Sequence, residues 1–333
     1  MARRALIVGI NHYQLPANDL DAAVADAEAI ARLLAANEDG TPNYDCRVLL
    51  DQMEDGRPVT RSALREAVRE LFAPLKGELL FCFSGHGVVT DAGGYLCTTD
   101  AEPNDWGIPM DEIMTLAAKA NARDVLLILD CCHSGVIANP AILQEHSRVN
   151  PLALLGENMT ILASSHASQQ SQEAGGHGLF TAAVLDALDG GAADHIGHVT
   201  APQIYGYVER RFDAWGQAPV YKSHTTGLTI VRQCAPLIDR LKLRELVVHF
   251  PTEDYKYLLD PEHEPEDEHG NVHEPVNHQK VQVAQLFKEY RDAGLLKPST
   301  PGEQLYWAAR RGHTVELTLR GREYWRLVAK KRI

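Results

Sequence analysis

The chain has 333 residues, of which 45% are hydrophobic and 23% charged, and its formal net charge is −13. This composition is typical of a soluble globular protein and excludes a mainly disordered chain, a coiled coil and a collagen. No apolar run approaches the roughly 20 residues of a membrane helix, and the short apolar stretch near the N-terminus does not form a signal peptide. We therefore expect a cytoplasmic protein without a membrane partner.

The excess of negative charge lies in the first 240 residues. Residues 1–240 contain 17 Lys and Arg against 30 Asp and Glu, whereas residues 241–333 contain 15 of each. An acidic surface repels nucleic acid and attracts basic partners. The six cysteines show no metal-ligand spacing, so we interpret them as thiols, and a catalytic thiol is among the candidates.

Short apolar segments alternate with amphipathic segments through the first 235 residues. The predicted strands cover, in chain order, residues 6–10, 47–50, 79–83, 125–129, 159–163 and 228–231. The predicted helices cover residues 20–36, 60–75, 111–120, 178–188 and 202–214. Apolar strands that alternate with helices indicate a mostly parallel sheet covered on both faces. Residues 1–235 are thus predicted to form one α/β domain around a six-stranded sheet.

The rest of the chain is predicted to contain a connector and a small domain. Nine acidic residues lie between Glu253 and Glu274, which indicates an exposed acidic connector over residues 236–280. Its histidines are too loosely spaced to predict a zinc site. Helical spacing then returns at 281–290, followed by a predicted strand at 316–319 and a predicted helix at 321–328. This order resembles the end of a winged helix, so we expect a small winged-helix-like domain over residues 281–333.

Two predicted strands end in reactive side chains on glycine-flanked turns. The first continues into Ser84-Gly85-His86-Gly87, and the second continues into Asp130-Cys131-Cys132-His133-Ser134-Gly135. Functional groups of such sheets gather at the carboxyl ends of the strands. A thiol opposite an imidazole forms an activated nucleophile, and glycines let backbone N–H groups approach a developing oxyanion. The pattern therefore indicates nucleophilic catalysis by cysteine.

These two motifs resemble the signature motifs of the caspase–metacaspase superfamily of cysteine peptidases. The resemblance extends to residues 5–11, 95–100 and 178–181, covers roughly residues 3–235, and is nearest to the prokaryotic metacaspase-like branch. It implies a three-layer caspase-like fold and a catalytic dyad of His86 and Cys132, because Cys132 directly precedes His-Ser-Gly. It also implies an oxyanion site made by the backbone N–H groups of Gly87 and Cys132, and it implies no cofactor.

The same resemblance implies an acidic specificity pocket at three positions, Asp26, Ser84 and Asp130. Two recessed carboxylates are costly unless a cation joins them, and the planar fork of a guanidinium donates bidentate hydrogen bonds to carboxylates. We therefore expect cleavage of protein substrates after Arg, and weaker cleavage after Lys. The alternative is that Asp26 caps or solvates its helix and that Asp130 only orders its turn.

Regulation is expected in the segment between Cys132 and the strand that begins at Met159. Family members often carry a processing segment here, and Arg148 is the candidate for self-cleavage. Calcium activates some metacaspases, but the available aspartates Asp91, Asp100 and Asp105 form no calcium-loop pattern. The calcium dependence is therefore left open, and no metal site is predicted.

Three hypotheses about function follow from these observations. The leading one is a regulated, Arg-directed cysteine endopeptidase of bacterial defence or cell-death signalling, whose C-terminal domain docks a regulatory or sensor protein. The second is a catalytically silent caspase fold that serves as a signalling scaffold. The third is a DNA-binding regulator, because residues 310–333 contain eight basic side chains against two acidic ones. Since the whole chain is acidic, we favour protein docking over contact with nucleic acid.

Overall fold

The computed structural model describes residues 2–14, 19–51, 58–91, 93–131, 156–164, 173–174, 176–212, 219–266, 269, 271–272 and 275–333. The chain divides into two units. The first comprises Met1–Ala193 and Gly197–Ala235, and the second comprises Asp194–Ile196 and Pro236–Ile333.

The described residues form short strands and helices that alternate along the chain. The strands are β1 Arg3–Gly9, β2 Asp45–Leu50, β3 Glu78–Ser84, β4 Gly87–Thr90, β5 Gly93–Glu102, β6 Asp105–Pro109, β7 Asp124–Asp130, β8 Met159–Ala163, β9 Glu173–Ala174, β10 His177–Gly178, β11 His198–Thr200, β12 Val220–His224, β13 Ile230–Gln233, β14 Lys256–Leu258, β15 Leu296–Pro298 and β16 Thr314–Leu317. The helices are α1 Ala23–Ala35, α2 Arg61–Leu71, α3 Met110–Lys119, α4 Leu179–Asp186, α5 Ala201–Phe212, α6 Arg240–Arg244, α7 Leu246–His249, α8 His278–Asp292, α9 Leu305–Arg311 and α10 Leu319–Ala329.

A six-stranded sheet organises the first unit, in the order β12-β8-β7-β3-β1-β2. Its neighbouring strands are parallel except for β12, which pairs antiparallel with β8. Successive side chains of a strand point to opposite faces of a sheet. In β1, Leu6 and Val8 pack in the core beside α2 and α3, whereas Ala5 and Ile7 pack in the core beside α1, α4 and α5. The predicted mostly parallel sheet with helices on both faces is therefore confirmed.

The sixth strand of this sheet is not the one that the apolar pattern predicts. The predicted strand at 228–231 corresponds to β13, which pairs with β11 in a separate two-stranded sheet. The edge position belongs to β12, in which polar and apolar residues are mixed and two residues are exposed. An edge strand does not need a continuous apolar run, because one side of its backbone has no neighbour in the sheet.

The second unit has its own core around a three-stranded antiparallel sheet in the order β14-β16-β15. Phe250, Phe287 and Tyr290 are among its fully buried side chains. Residues 236–280, which we expected to be an exposed connector, are part of this unit and supply Leu243 and Phe250 to its core. Dense acidic residues conceal this contribution, because exposed ones such as Asp254, Glu262 and Glu266 surround a few inward-facing apolar side chains. The winged-helix assignment of residues 281–333 remains a prediction.

Within the part of the chain that the structure describes, no helix combines the length and the apolar character needed to cross a bilayer.

Candidate active site

The two motifs from the sequence meet at one edge of the central sheet. Ser84 ends β3, Asp130 ends β7, and the two residues are paired in register in neighbouring parallel strands. Beyond them, the backbone N–H of Gly85 donates to the carbonyl of Asp130 over 3.1 Å. The turn that carries His86 is thus tied to the end of the strand that leads to Cys132.

His86 is half-buried, and both of its backbone groups are held. Its N–H donates to the Tyr13 hydroxyl over 2.8 Å, and its carbonyl accepts from the N–H of Cys97 over 2.9 Å. The rings of Tyr13 and His86 are tilted against each other, with their centroids 4.8 Å apart. The Tyr13 hydroxyl in turn donates to the carbonyl of Ile10 over 3.1 Å. Tyr13 therefore connects the histidine turn to the end of β1.

Two further features support this arrangement around Tyr13. Burial raises the pKa of Tyr13 well above its ordinary value, so the hydroxyl keeps the proton that it donates. A Cβ atom on Gly85 would lie 2.7 Å from the Tyr13 hydroxyl oxygen, so this position requires glycine. Gly85 belongs to a motif that is visible in the sequence, but Tyr13 is not predicted, because nothing in its local pattern points to a partner 73 residues away.

The predicted nucleophile Cys132 lies outside the described residues, and so does the processing candidate Arg148. The preceding residue, Cys131, is 4% exposed and packs in the core beside α2 and α3. Gly87 begins β4 directly after His86. The catalytic pairing of His86 with Cys132 and the oxyanion site therefore remain predictions.

The three predicted pocket residues lie close together, near the turn that carries His86. The Ser84 hydroxyl donates to Asp26 Oδ2 over 3.1 Å. A Cβ atom on Gly178 would stand 3.0 Å from Asp130 Oδ2 and 3.2 Å from Asp26 Oδ2, so both carboxylates face the same glycine. Asp26 is 1% exposed, and it therefore does not solvate its helix.

The segment at the start of α4 supplies further partners of the two carboxylates. His177 Nδ1 lies 2.7 Å from Asp26 Oδ1, and the N–H of Gly178 donates to the same carboxylate over 3.3 Å. Thr181 donates to Asp130 Oδ2 through its hydroxyl over 2.7 Å and through its backbone N–H over 3.2 Å. Asp130 thus also orders the first turn of α4. In the sequence, residues 178–181 stand out only by their family resemblance, and His177 is not predicted to be part of the site.

The electrostatics of the pair follow from burial and from like charge. Burial and the charge of Asp130 raise the pKa of Asp26 to about 6, although the hydrogen bonds from His177, Gly178 and Ser84 lower it. Burial also raises the pKa of Asp130, against hydrogen bonds from Thr181 and Ser164. Two carboxylates that share a recessed site resist double ionisation, and a bound cation relieves this cost.

Two of the three aspartates considered for calcium, Asp100 and Asp105, are engaged with other groups. Asp100 accepts from the Thr98 hydroxyl over 2.7 Å and from the N–H of Arg61 over 2.9 Å, and Asp105 forms an ion pair with Arg61. Across the described ranges, no group of three or more His, Cys, Asp or Glu residues is arranged to hold a metal ion.

Comparison with known proteins identifies the family of the first unit. The family model of the caspase domain matches residues 2–229. Similar solved structures include the protein GSU0716 from Geobacter sulfurreducens, with 19% identity, a TM-score of 0.49, and coverage of 71% of this chain and 98% of the other. They also include pro-sf-caspase-1, with 11% identity, a TM-score of 0.45, and coverage of 70% and 91%. No curated protein matches the chain.

Proposed function

Because the chain belongs to the caspase-domain family, we propose that it is a cysteine endopeptidase that cleaves proteins after Arg, and less well after Lys. The observation that carries the proposal is the pair of carboxylates, Asp26 and Asp130, that face one glycine at the edge of the sheet. Caspases that cleave after Asp need a basic pocket instead. The partners of this pair are hydroxyls, backbone N–H groups and one imidazole.

The preference for Arg over Lys follows from the shape of the two cations. A guanidinium presents a planar fork of donors, which can contact two carboxylates at once, whereas an ammonium is a compact point charge. Charge-assisted hydrogen bonds are roughly twice as strong as neutral ones. Asp26 and Asp130, whose charged forms are disfavoured by burial, therefore gain most from a cationic side chain that donates hydrogen bonds to both of them.

In the proposed mechanism, Cys132 is the nucleophile and His86 acts first as general base and then as general acid. The imidazole of His86 takes the thiol proton of Cys132, and the thiolate attacks the substrate carbonyl carbon. The oxyanion accepts hydrogen bonds from the N–H groups of Gly87 and Cys132. His86 then protonates the leaving amine, and a water molecule that gives its proton to His86 hydrolyses the thioester. The burial of Cys131 in the core supports Cys132 as the nucleophile, because a buried thiol cannot reach a peptide.

The experiment is a set of fluorogenic peptides that differ only in the residue before the cleaved bond, namely Arg, Lys, Asp or Leu. We expect the wild-type chain to cleave the Arg peptide best and Cys132→Ala to be inactive. Cys131→Ala is the matched control and should retain activity, because its thiol lies in the core. Asp130→Ala should lose the preference for Arg. Preferred cleavage after Asp would overturn the specificity.

The silent-scaffold alternative gives a different result in the same series. A chain that cleaves none of the peptides, and whose cysteines react with iodoacetamide equally in wild type and Cys132→Ala, would be a scaffold rather than a peptidase. The presence of His86 on a turn that is held at both backbone groups supports the peptidase.

For the second unit we propose docking of a regulatory protein rather than of nucleic acid. Two of its basic side chains are neutralised within the unit, since Arg322 pairs with Asp254 over 2.6 Å and Arg326 pairs with Glu253. Large apolar side chains such as Leu241 and Leu319 are exposed instead. We expect no salt-dependent shift of duplex DNA by the full chain, and such a shift would favour the DNA-binding hypothesis.

A further inference from the structure

The buried carboxylate of Asp26 contacts one imidazole among the described residues, that of His177. Asp26 is 1% exposed, and its contact residue Ser84 is 4% exposed. The side chain of His177, by contrast, is 28% exposed. Of the two described side chains that contact Asp26, His177 is therefore the one that reaches solvent.

The contact with His177 is also the shortest that Asp26 makes with the described residues. His177 Nδ1 lies 2.7 Å from Asp26 Oδ1, whereas the Ser84 hydroxyl is 3.1 Å away and the Gly178 N–H is 3.3 Å away. The Gly178 contact is made by backbone, and the short side chain of Ser84 is anchored at the end of a strand of the central sheet. The longer side chain of His177 is partly exposed, so it can turn away from Asp26 while the backbone stays in place. Among the described partners of Asp26, the imidazole is therefore the one that an entering cation can replace most readily.

We propose that His177 determines specificity by occupying the place on Asp26 that the substrate cation takes. This inference rests on the proposed function and goes beyond it. The side chain of His177 must leave Asp26 before an Arg side chain can contact both carboxylates. The free energy lost with the contact between His177 and Asp26 is then offset by new contacts between the substrate cation and the carboxylates. The number of those contacts depends on the cation.

This exchange favours Arg over Lys for a physical reason. A guanidinium that displaces His177 gains charge-assisted contacts with Asp26 and Asp130 together, which outweigh the one contact that is lost. An ammonium can bind Asp130 as a point charge without displacing the imidazole, or it can displace the imidazole for little net gain. The cost of displacing His177 therefore weakens the binding of Lys substrates more than the binding of Arg substrates.

The test uses the full chain and two peptides that differ only in Arg or Lys before the cleaved bond. We expect His177→Ala to lower KM for both peptides, and to lower it more for Lys. The Arg-to-Lys ratio of kcat/KM should fall about tenfold, the order expected for one hydrogen bond to a charged group. The value of kcat for the Arg peptide should stay within about twofold, because His177 does not touch the reacting atoms.

Two variants serve as controls. His177→Asn places an amide donor near the position of Nδ1 and should keep a ratio between those of wild type and His177→Ala. In the second unit, His313 Nδ1 makes a similar contact, 2.9 Å from Glu303 Oε2. His313→Ala should therefore leave the ratio and both KM values unchanged.

A second measurement leaves the pocket residues unchanged, so it tests the proposal even if His177→Ala does not fold. Cys132→Ala labelled with ¹⁵N in its histidine rings is titrated with the intact Arg peptide. We expect the ring resonance of His177 to shift at saturation, because its contact with Asp26 breaks.

The outcomes separate the two proposals. Wild-type cleavage after Arg with an unchanged ratio in His177→Ala, or an unchanged His177 resonance at saturation, overturns the role of His177 and leaves the proposed function standing. If wild type and His177→Ala both fail to cleave after a basic residue, the proposed function fails, and this inference fails with it.

Discussion

The hydroxyl of Tyr13 accepts the backbone N–H of His86 over 2.8 Å, and its ring lies against the imidazole with a centroid distance of 4.8 Å. The same hydroxyl donates to the carbonyl of Ile10, at the end of β1. One side chain thus fixes the backbone and supports the ring of the residue proposed as general base. A proton-transfer group must be held in place before it can act efficiently, so Tyr13 is a positioning residue for His86.

Tyr13→Phe keeps the ring but removes the hydroxyl that accepts from His86. We expect kcat for the Arg peptide to fall about tenfold with little change in KM, because misplacement of a catalytic group weakens the chemical step. The pH dependence of alkylation of Cys132 should also shift, since the imidazole that stabilises the thiolate moves. Tyr44→Phe is the control, because Tyr44 is a core tyrosine whose hydroxyl likewise accepts a hydrogen bond, from Arg3 over 3.2 Å. Equal alkylation profiles in both variants would reduce Tyr13 to a structural role.

Asp26→Asn should make the fold more stable and the pocket inactive. The pKa of Asp26 is raised to about 6 in the fold, above its value in an unfolded chain. The stability associated with the protonated carboxyl is therefore fully present below about pH 4 and is lost as the pH rises through 6. At pH 8 we expect Asp26→Asn to raise the free energy of unfolding by about 2 kcal/mol in urea titrations, with the gain shrinking toward pH 4.

The control for this prediction is Asp39→Asn at an exposed site. Hydrogen bonds from Thr41 lower the pKa of Asp39, so the ionised form is the stabilising one there. Asp39→Asn should give no gain in stability at pH 8. A gain of the same size in both variants would indicate an effect of net charge rather than of burial at Asp26.

Gly178→Ala should damage binding of Arg without unfolding the chain. The backbone of Gly178 has a φ of −59°, which alanine adopts without strain. The added methyl group would stand 3.0 Å from Asp130 Oδ2 and 3.2 Å from Asp26 Oδ2, where the guanidinium is proposed to bind. We expect KM for the Arg peptide to rise about tenfold, the loss of roughly one charged hydrogen bond, and kcat to change less.

A glycine in a helix provides the matched control for Gly178→Ala. Gly206 lies in α5, and a Cβ atom there would meet only the Arg210 side chain, at 3.9 Å. Gly206→Ala should leave KM unchanged and stabilise the helix by up to about 1 kcal/mol. If Gly178→Ala also left KM unchanged, the substrate cation would bind elsewhere.

Self-cleavage at Arg148 is the last prediction. Purified wild-type chain should run as two fragments under denaturing conditions. Mass spectrometry should show that the chain is cut directly after Arg148. Cys132→Ala and Arg148→Ala should each stay one chain, and Arg148→Lys should be cut more slowly, because an ammonium fills the pocket less well. Cleavage of Cys132→Ala at the same bond would assign the cut to another protease.

The apolar segments of the sequence are enough to predict the centre of the fold. The runs Leu79 to Phe83 and Val125 to Leu129 bury every side chain, and only a sheet covered on both faces can bury alternate residues in two directions. Their ends then bring Ser84 and Asp130 side by side. The edge strand β12 and the core contribution of residues 236–280 escaped prediction, because mixed or acidic segments bury only a few inward-facing side chains.

Local pattern thus reveals which side chains are hidden and which motifs stand at strand ends, because burial imposes a period on neighbouring residues. It does not reveal that His177 contacts Asp26, which is 151 positions away, or that the Tyr13 hydroxyl accepts from the backbone N–H of His86. Those partners are selected by how the first helix, the strand ends and the start of α4 pack in space. A hydrogen bond between distant residues imposes no repeat on the sequence around either of them, so it becomes visible only when the chain is folded.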